Sequence, residues 1–139
     1  MDNSNVELSR RWFEEVWNQQ RSATIDELLT PESVGHLEVG DVQGAEAFKA
    51  IHADFLAAFP DLRVDVEATM ADGDDVVVRW RASGRHSGDG LGVKATHHPV
   101  SFRGLTWLRF RDGKLVEGWD CWNQTGMVQQ LRDADQRRT

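Results

Sequence analysis

Two histidines, an aspartate and an asparagine are the residues of this chain best suited to do chemistry: His36, His86, Asp120 and Asn123. Imidazole titrates near neutral pH, so His86 is the first choice for a general base and His36 the second. A carboxylate such as Asp120 becomes a useful base when burial raises its pKa toward neutrality. An amide cannot take a proton, but the Asn123 NH2 can donate a hydrogen bond to a developing oxyanion. Trp80, Trp107 and Trp119 are the candidate aromatic walls around such groups. Each has a structural reading as well: the histidines as satisfied core residues, the indoles as plain core with their N–H groups paired, and Asp120 as a carboxylate on an outer sheet face.

Which of these side chains can meet depends on strand alternation. In a strand over residues 115–123, Trp119, Cys121 and Asn123 share one face, while Asp120 and Trp122 share the other. In the strand over 76–86 the arginines occupy one face, which turns Trp80 and His86 inward. The expected cavity set is therefore His86, His36, Trp119 and Asn123, with Asp120 third among the possible bases because alternation points it away. A single bulge would exchange the two faces. With the alternation unbroken, Trp122, opposite Trp119, suits an interface. Cys121 reads as a small buried hydrophobe.

The elements that must hold these residues follow from periodicity and turn chemistry. Ser4-x-x-Glu7 is a capping box, and Trp12, Phe13, Val16 and Trp17 fall on one face of a helix over residues 5–19. A short helix covers 25–29 and stops before Pro31. Residues 33–39 alternate as a short strand. A third helix over 45–59 carries Phe48, Ile51, Phe55 and Leu56 as an apolar stripe and ends at Pro60; His52 lies at its rim. Strands follow over 62–70, 76–86, 100–110 and 115–123. Asp72-Gly73-Asp74 and Asp112-Gly113 supply turns, and 87–98 is a Gly- and His-bearing loop. A short helix then closes on Gln129-Gln130-Leu131, followed by a charged tail from Arg132. Helices first and an antiparallel sheet afterwards predict an α+β architecture.

Composition narrows the function. A chain of 139 residues suits one domain, and nothing repeats. A formal charge of −7 with dispersed basic residues argues against a nucleic-acid or anionic-membrane surface. The lone Cys121 excludes an intramolecular disulfide and a Cys-rich zinc site. His97 and His98 point opposite ways on an extended chain and make a poor metal site. The glycines 84, 88, 90 and 92 lack the strand-to-helix context of a phosphate loop. No cofactor or metal is expected. No apolar run spans a bilayer, and the first residues show no secretory signal, so a cytoplasmic location is expected.

Several segments, in order, resemble the SnoaL-like polyketide cyclases of the NTF2-like superfamily. They are Phe13-Glu14-Glu15-Val16-Trp17-Asn18, Ala57-Ala58-Phe59-Pro60-Asp61-Leu62, Asp72-Gly73-Asp74 with the Val76–Trp80 strand, Gly84-x-His86-Ser87-Gly88, the Phe110–Glu117 hairpin, and Trp119 through Leu131. His36 sits where members often have a histidine. The resemblance covers about residues 6–131. It implies a cone-shaped α+β barrel with three N-terminal helices on a curved, mostly antiparallel sheet, a deep apolar cavity and a homodimer. It also implies a cofactor-independent cyclase or isomerase that closes or isomerises a small apolar, polyketide-like carbonyl compound through an enolate. In the family an Asp stands four residues after the strand's Trp. Counting from Trp119 that position is Asn123, so the acid/base residue reads as an amide. Two other outcomes are therefore kept: a non-catalytic small-ligand binder, and a cofactor-independent hydroxylase or epoxide hydrolase.

Overall fold

The computed structural model describes residues 4–137. The expectations for the first residues and for the end of the basic tail lie outside them.

α1 (Ser4–Arg11) runs without a break into a π-helical segment, Trp12–Asn18. The Gln19 N–H bonds the Glu14 carbonyl, five residues back, at 2.8 Å. Widening the turn brings Trp12, Phe13 and Val16 into the core together. α2 (Ser22–Leu28) is tied to this segment by Glu15, which pairs with Arg11 and accepts a 2.7 Å bond from the Thr24 hydroxyl. β1 (Leu29–Leu37) and β2 (Gly40–Gln43) form a hairpin ahead of α3 (Gly44–Ala58). β3 (Arg63–Asp72), β4 (Asp75–Arg85), β5 (Pro99–Arg111) and β6 (Lys114–Cys121) follow, and α4 (Gln124–Arg137) closes the chain.

The six strands form one sheet in the order β2-β1-β6-β5-β4-β3. Every neighbouring pair is antiparallel except β1 with β6. The helices pack on its inner face, which bears out the expected α+β architecture. β1 begins earlier than alternation predicts and passes through Pro31. Its parallel ladder is interrupted between Leu29 and Val34. There proline cannot donate, and the Ser33 hydroxyl instead donates to the Leu115 carbonyl at 2.6 Å. β2 was not anticipated. The region read as a charged tail is the second half of α4, anchored by buried Leu131 and Ala134. His52 is buried rather than at a rim, and its Nε2 donates to the Val16 carbonyl at 2.6 Å, fastening α3 to the π-helical segment.

Alternation holds along β4, where Val76, Val78, Trp80 and Ala82 are buried. Each such apolar side chain stabilises the fold by about 1.5–3 kcal/mol for the larger residues. It fails along β6. Arg109 pairs with Glu117, but the next β5 residue, Phe110, pairs with Leu115. Val116 is thus an extra residue, a bulge that reverses the faces beyond it. Leu115 points inward, and so do Gly118, Asp120 and Trp122. On β5, Gly104 faces the resulting crowd. A Cβ there would stand 2.7 Å from Trp122 Cβ and 2.8 Å from the Trp80 ring, so only glycine lets both indoles lie across the strand.

Among the described residues no helix is long and apolar enough to cross a membrane.

Candidate active site

A cavity of about 130 Å³ lies between the inner face of the sheet and the helices. Trp12, Phe13 and Trp17 from the π-helical segment and Phe48, Ile51 and Phe55 from α3 form one wall. Trp80, Phe102, Leu108 and Trp122 from the sheet form the other. The rings interlock: Phe102 stacks on Trp122 at 4.6 Å and 18°, and Trp80 meets Trp122 edge-on at 6.0 Å. Among the described residues Glu38, Glu117 and Asp120 are the ionisable ones of the lining, and no cationic side chain shares it.

Asp120 is a polar group at the centre of this largely apolar space. Its carboxyl is closely surrounded by protein but only half-buried, because the cavity reaches it. Burial raises its pKa above the usual carboxylate range, and the hydrogen bond from Thr106 opposes that only in part. The Thr106 hydroxyl donates to Asp120 Oδ1 at 2.8 Å. The Trp80 indole N–H donates to the same Thr106 oxygen, also at 2.8 Å. Asp120 Oδ2 has no hydrogen-bond partner among the described residues. The Trp122 indole and the Gln124 amide line the same cavity and likewise have no side-chain partner there.

The structure separates the residues that sequence reasoning grouped. Trp119 and Cys121 leave the sheet on its outer face, with Cys121 exposed. His36 stacks on Trp119 at 5.4 Å and 25°. Its Nδ1 lies 2.9 Å from Asp41 and its Nε2 2.7 Å from Glu117. Two carboxylates can only accept, so both ring nitrogens donate together only in the protonated imidazole; these partners raise its pKa, Glu117 foremost. Trp107, expected as a cavity wall, is 46% exposed on the same outer face, with its indole bonded to Asp75 at 3.0 Å. Arg109 lies 5.1 Å over the Trp119 ring and also grips Asp75.

His86 does turn inward, but past the end of the cavity. It is fully buried against Phe59. Its Nδ1 accepts the Thr96 backbone N–H at 3.1 Å, which leaves the proton on Nε2, an atom without a hydrogen-bond partner among the described residues. Burial lowers its pKa, with the Gly90 backbone acting in the opposite sense. Asn123 is exposed and caps α4: its Oδ1 accepts the Gly126 N–H at 2.9 Å, the geometry of an N-cap. Of the predicted aromatic walls only Trp80 lines the cavity. Trp122, expected on the outer face, is inside.

Residues 7–131 match the sequence profile of the SnoaL-like polyketide cyclases. The chain belongs to this family. Its fold is the NTF2-like one shared by its structural neighbours. A protein of Jannaschia sp. CCS1 named as a SnoaL-like polyketide cyclase superposes with a TM-score of 0.86 at 28% identity, covering 94% of this chain and 92% of the other. AclR of Streptomyces galilaeus, named as a hydroxylase, gives 0.80 at 29% identity over 93% and 96%. IdmH of Streptomyces antibioticus, named as a polyketide cyclase, gives 0.77 at 29% over 91% and 97%. No curated protein matches the chain.

Asp120, which alternation along the strand ranked third, is one of three carboxylates lining the cavity and the one that Thr106 holds; Thr106 was missed. The available signal was the strand itself. If Trp119 and Trp122 cannot both face inward, counting back from a buried Trp122 selects Asp120.

Proposed function

We propose that this SnoaL-like protein is a cofactor-independent enzyme that performs enolate chemistry on a small, neutral, apolar carbonyl compound, with Asp120 as the general base. The observation that carries this reading is a carboxylate with a raised pKa, open on one oxygen, inside a mostly aromatic and aliphatic cavity. Asp120 takes a proton from the carbon next to a carbonyl. The Trp122 indole and the Gln124 amide are the donors available to the enolate oxygen. For ring closure the enolate carbon bonds to a second carbonyl carbon of the same molecule, and the resulting alkoxide takes the proton back from Asp120. The absence of a cation from the lining, beside Glu38 and Glu117, disfavours substrates carrying free acid groups.

The test is exchange of α protons for deuterium, followed by NMR on fused-ring aromatic ketones and linear β-keto esters. Wild type should accelerate exchange on the class it binds, and Asp120→Asn should bind without exchanging. Saturable binding with no exchange by wild type would leave a ligand-binding protein instead. The likeness to AclR supports a second reading, hydroxylation with dioxygen as co-substrate; turnover that stops without oxygen would select it.

We also infer that the outer sheet face pairs with a second copy of the chain. Leu105 (47% exposed) and Trp107 (46%) stand beside Trp119 and Cys121 on that face. Asp75 and Arg109 hold the Trp107 and Trp119 rings in place before any association.

A further inference from the structure

The reading of Asp120 as a base leaves open which of its oxygens reacts and what holds it. Thr106 answers both through a directional constraint. An indole N–H can only donate. With Trp80 donating to Thr106 Oγ1 at 2.8 Å, the hydroxyl oxygen is engaged as an acceptor on that side. Its single proton is directed at Asp120 Oδ1, also at 2.8 Å. Both Trp80 and Thr106 are buried, with 5% exposure each. The chain Trp80 to Thr106 to Asp120 therefore runs in one direction only, from core to cavity.

We propose that Thr106, oriented by the Trp80 indole, is the positioning residue of the site: it holds Asp120 Oδ1 as a permanent acceptor and leaves Oδ2 as the oxygen that exchanges a proton with the bound molecule. The arrangement fixes the carboxyl plane against the strand and keeps the reactive oxygen toward the aromatic space. It also favours the ionised form, against the burial that disfavours it. Among the described residues, burial and the Thr106 hydrogen bond set that balance, with no charged neighbour entering it. The other carboxylates of the cavity wall, Glu38 in the turn between β1 and β2 and Glu117 on β6, are engaged elsewhere, Glu38 by Thr125 and Glu117 by His36. Threonine suits the position because its methyl keeps the volume of a core residue while its hydroxyl completes the chain; valine has the shape without the donor.

This inference rests on the reading of Asp120 as the proton-exchanging group, and its test stands apart from turnover. The carboxyl of Asp120 is titrated by carbon-13 NMR in the ligand-free protein, in wild type, Thr106→Ser, Thr106→Val and Trp80→Phe. Thr106→Val should move the titration midpoint up, and Thr106→Ser should restore it. Trp80→Phe should move it in the same direction by less, because a released hydroxyl can turn to accept from the protonated acid. On a substrate that exchanges, Thr106→Val should slow exchange about tenfold with unchanged affinity, the value of one charge-assisted hydrogen bond. An unchanged midpoint in folded Thr106→Val overturns the proposal, and an unchanged midpoint in Trp80→Phe overturns the part given to the indole. Shifted midpoints without exchange in any variant would uphold the positioning and reject the catalytic reading.

Discussion

Trp119 and Asp120 are adjacent in the chain and stand on opposite sides of the sheet. The indole stacks on His36 outside, at 5.4 Å, while the carboxylate takes the Thr106 hydrogen bond at 2.8 Å inside. The two residues divide the protein into an inner chemical face and an outer electrostatic one, and the expected behaviour of variants divides the same way.

Asp120→Asn should lose about 10²–10⁴-fold in α-proton exchange, the usual worth of a positioned base. It should also gain stability. The folded-state pKa of Asp120 is raised, so its contribution to stability is full below the unfolded pKa and is lost as pH rises through the folded value. Above its folded-state pKa the wild type bears the cost of an ionised carboxylate in an apolar site. The amide removes that cost, by roughly 0.5–2 kcal/mol, in the usual exchange of stability for function. Thermal melts at pH 4 and pH 8 check the sign: the gain should appear at pH 8 and shrink at pH 4.

His36 predicts the pH response of the β1–β2 hairpin. Its folded pKa is raised by Glu117 and Asp41, so the stabilisation is complete below about 6.5, the unfolded value. It disappears as pH climbs through the folded pKa, where a neutral ring must face one carboxylate without a proton. His36→Gln should flatten that window in melting curves while leaving exchange at Asp120 unchanged. A wild-type midpoint that does not fall above this range would contradict the cationic assignment.

His86→Ala is a packing variant on this structure. Deleting a fully buried ring should cost about 2–4 kcal/mol in urea unfolding, with turnover per folded molecule retained. A variant that folds normally and loses exchange would return His86 to the mechanism.

Asn123→Ala should lower stability by about 1 kcal/mol through loss of the α4 cap. Asn123→Asp keeps an acceptor for the Gly126 N–H and should keep stability without gaining turnover. Gain of activity in Asn123→Asp would show that the amide has replaced a catalytic acid after all.

Leu105→Asp tests the outer face. Wild type should sediment at twice the 15.7 kDa chain mass, and the variant, with a charge in the apolar patch, as single chains. Wild type sedimenting as single chains at all concentrations would remove the dimer.

Much of this was legible in the residues. The helix of Phe48 and Phe55, the inward row Val76, Val78, Trp80 and Ala82, and the hairpin at Asp112-Gly113 each carry a strong local signal, a period of 3.6 or 2 or a turn pair. Their order carried the family. His86 and Trp80 were read as inward, and both are. The strand through Pro31 was not legible, because it is held by the distant Leu115 carbonyl rather than by its own sequence, and the π-helical turn at Trp12 and the hairpin at Gly40 carry no period or turn pair that marks them.

The sequence by itself determined the α+β order, the family and the pool of groups able to move protons. Only the tertiary structure decided which of them meet. Val116 bulges because β6 must pair with β1 on one side and β5 on the other, and that one extra residue exchanges Trp119 for Asp120 in the cavity. Side-chain facing repeats every two residues, so a change of one residue, set by pairing partners far along the chain, inverts the assignment for every position beyond it.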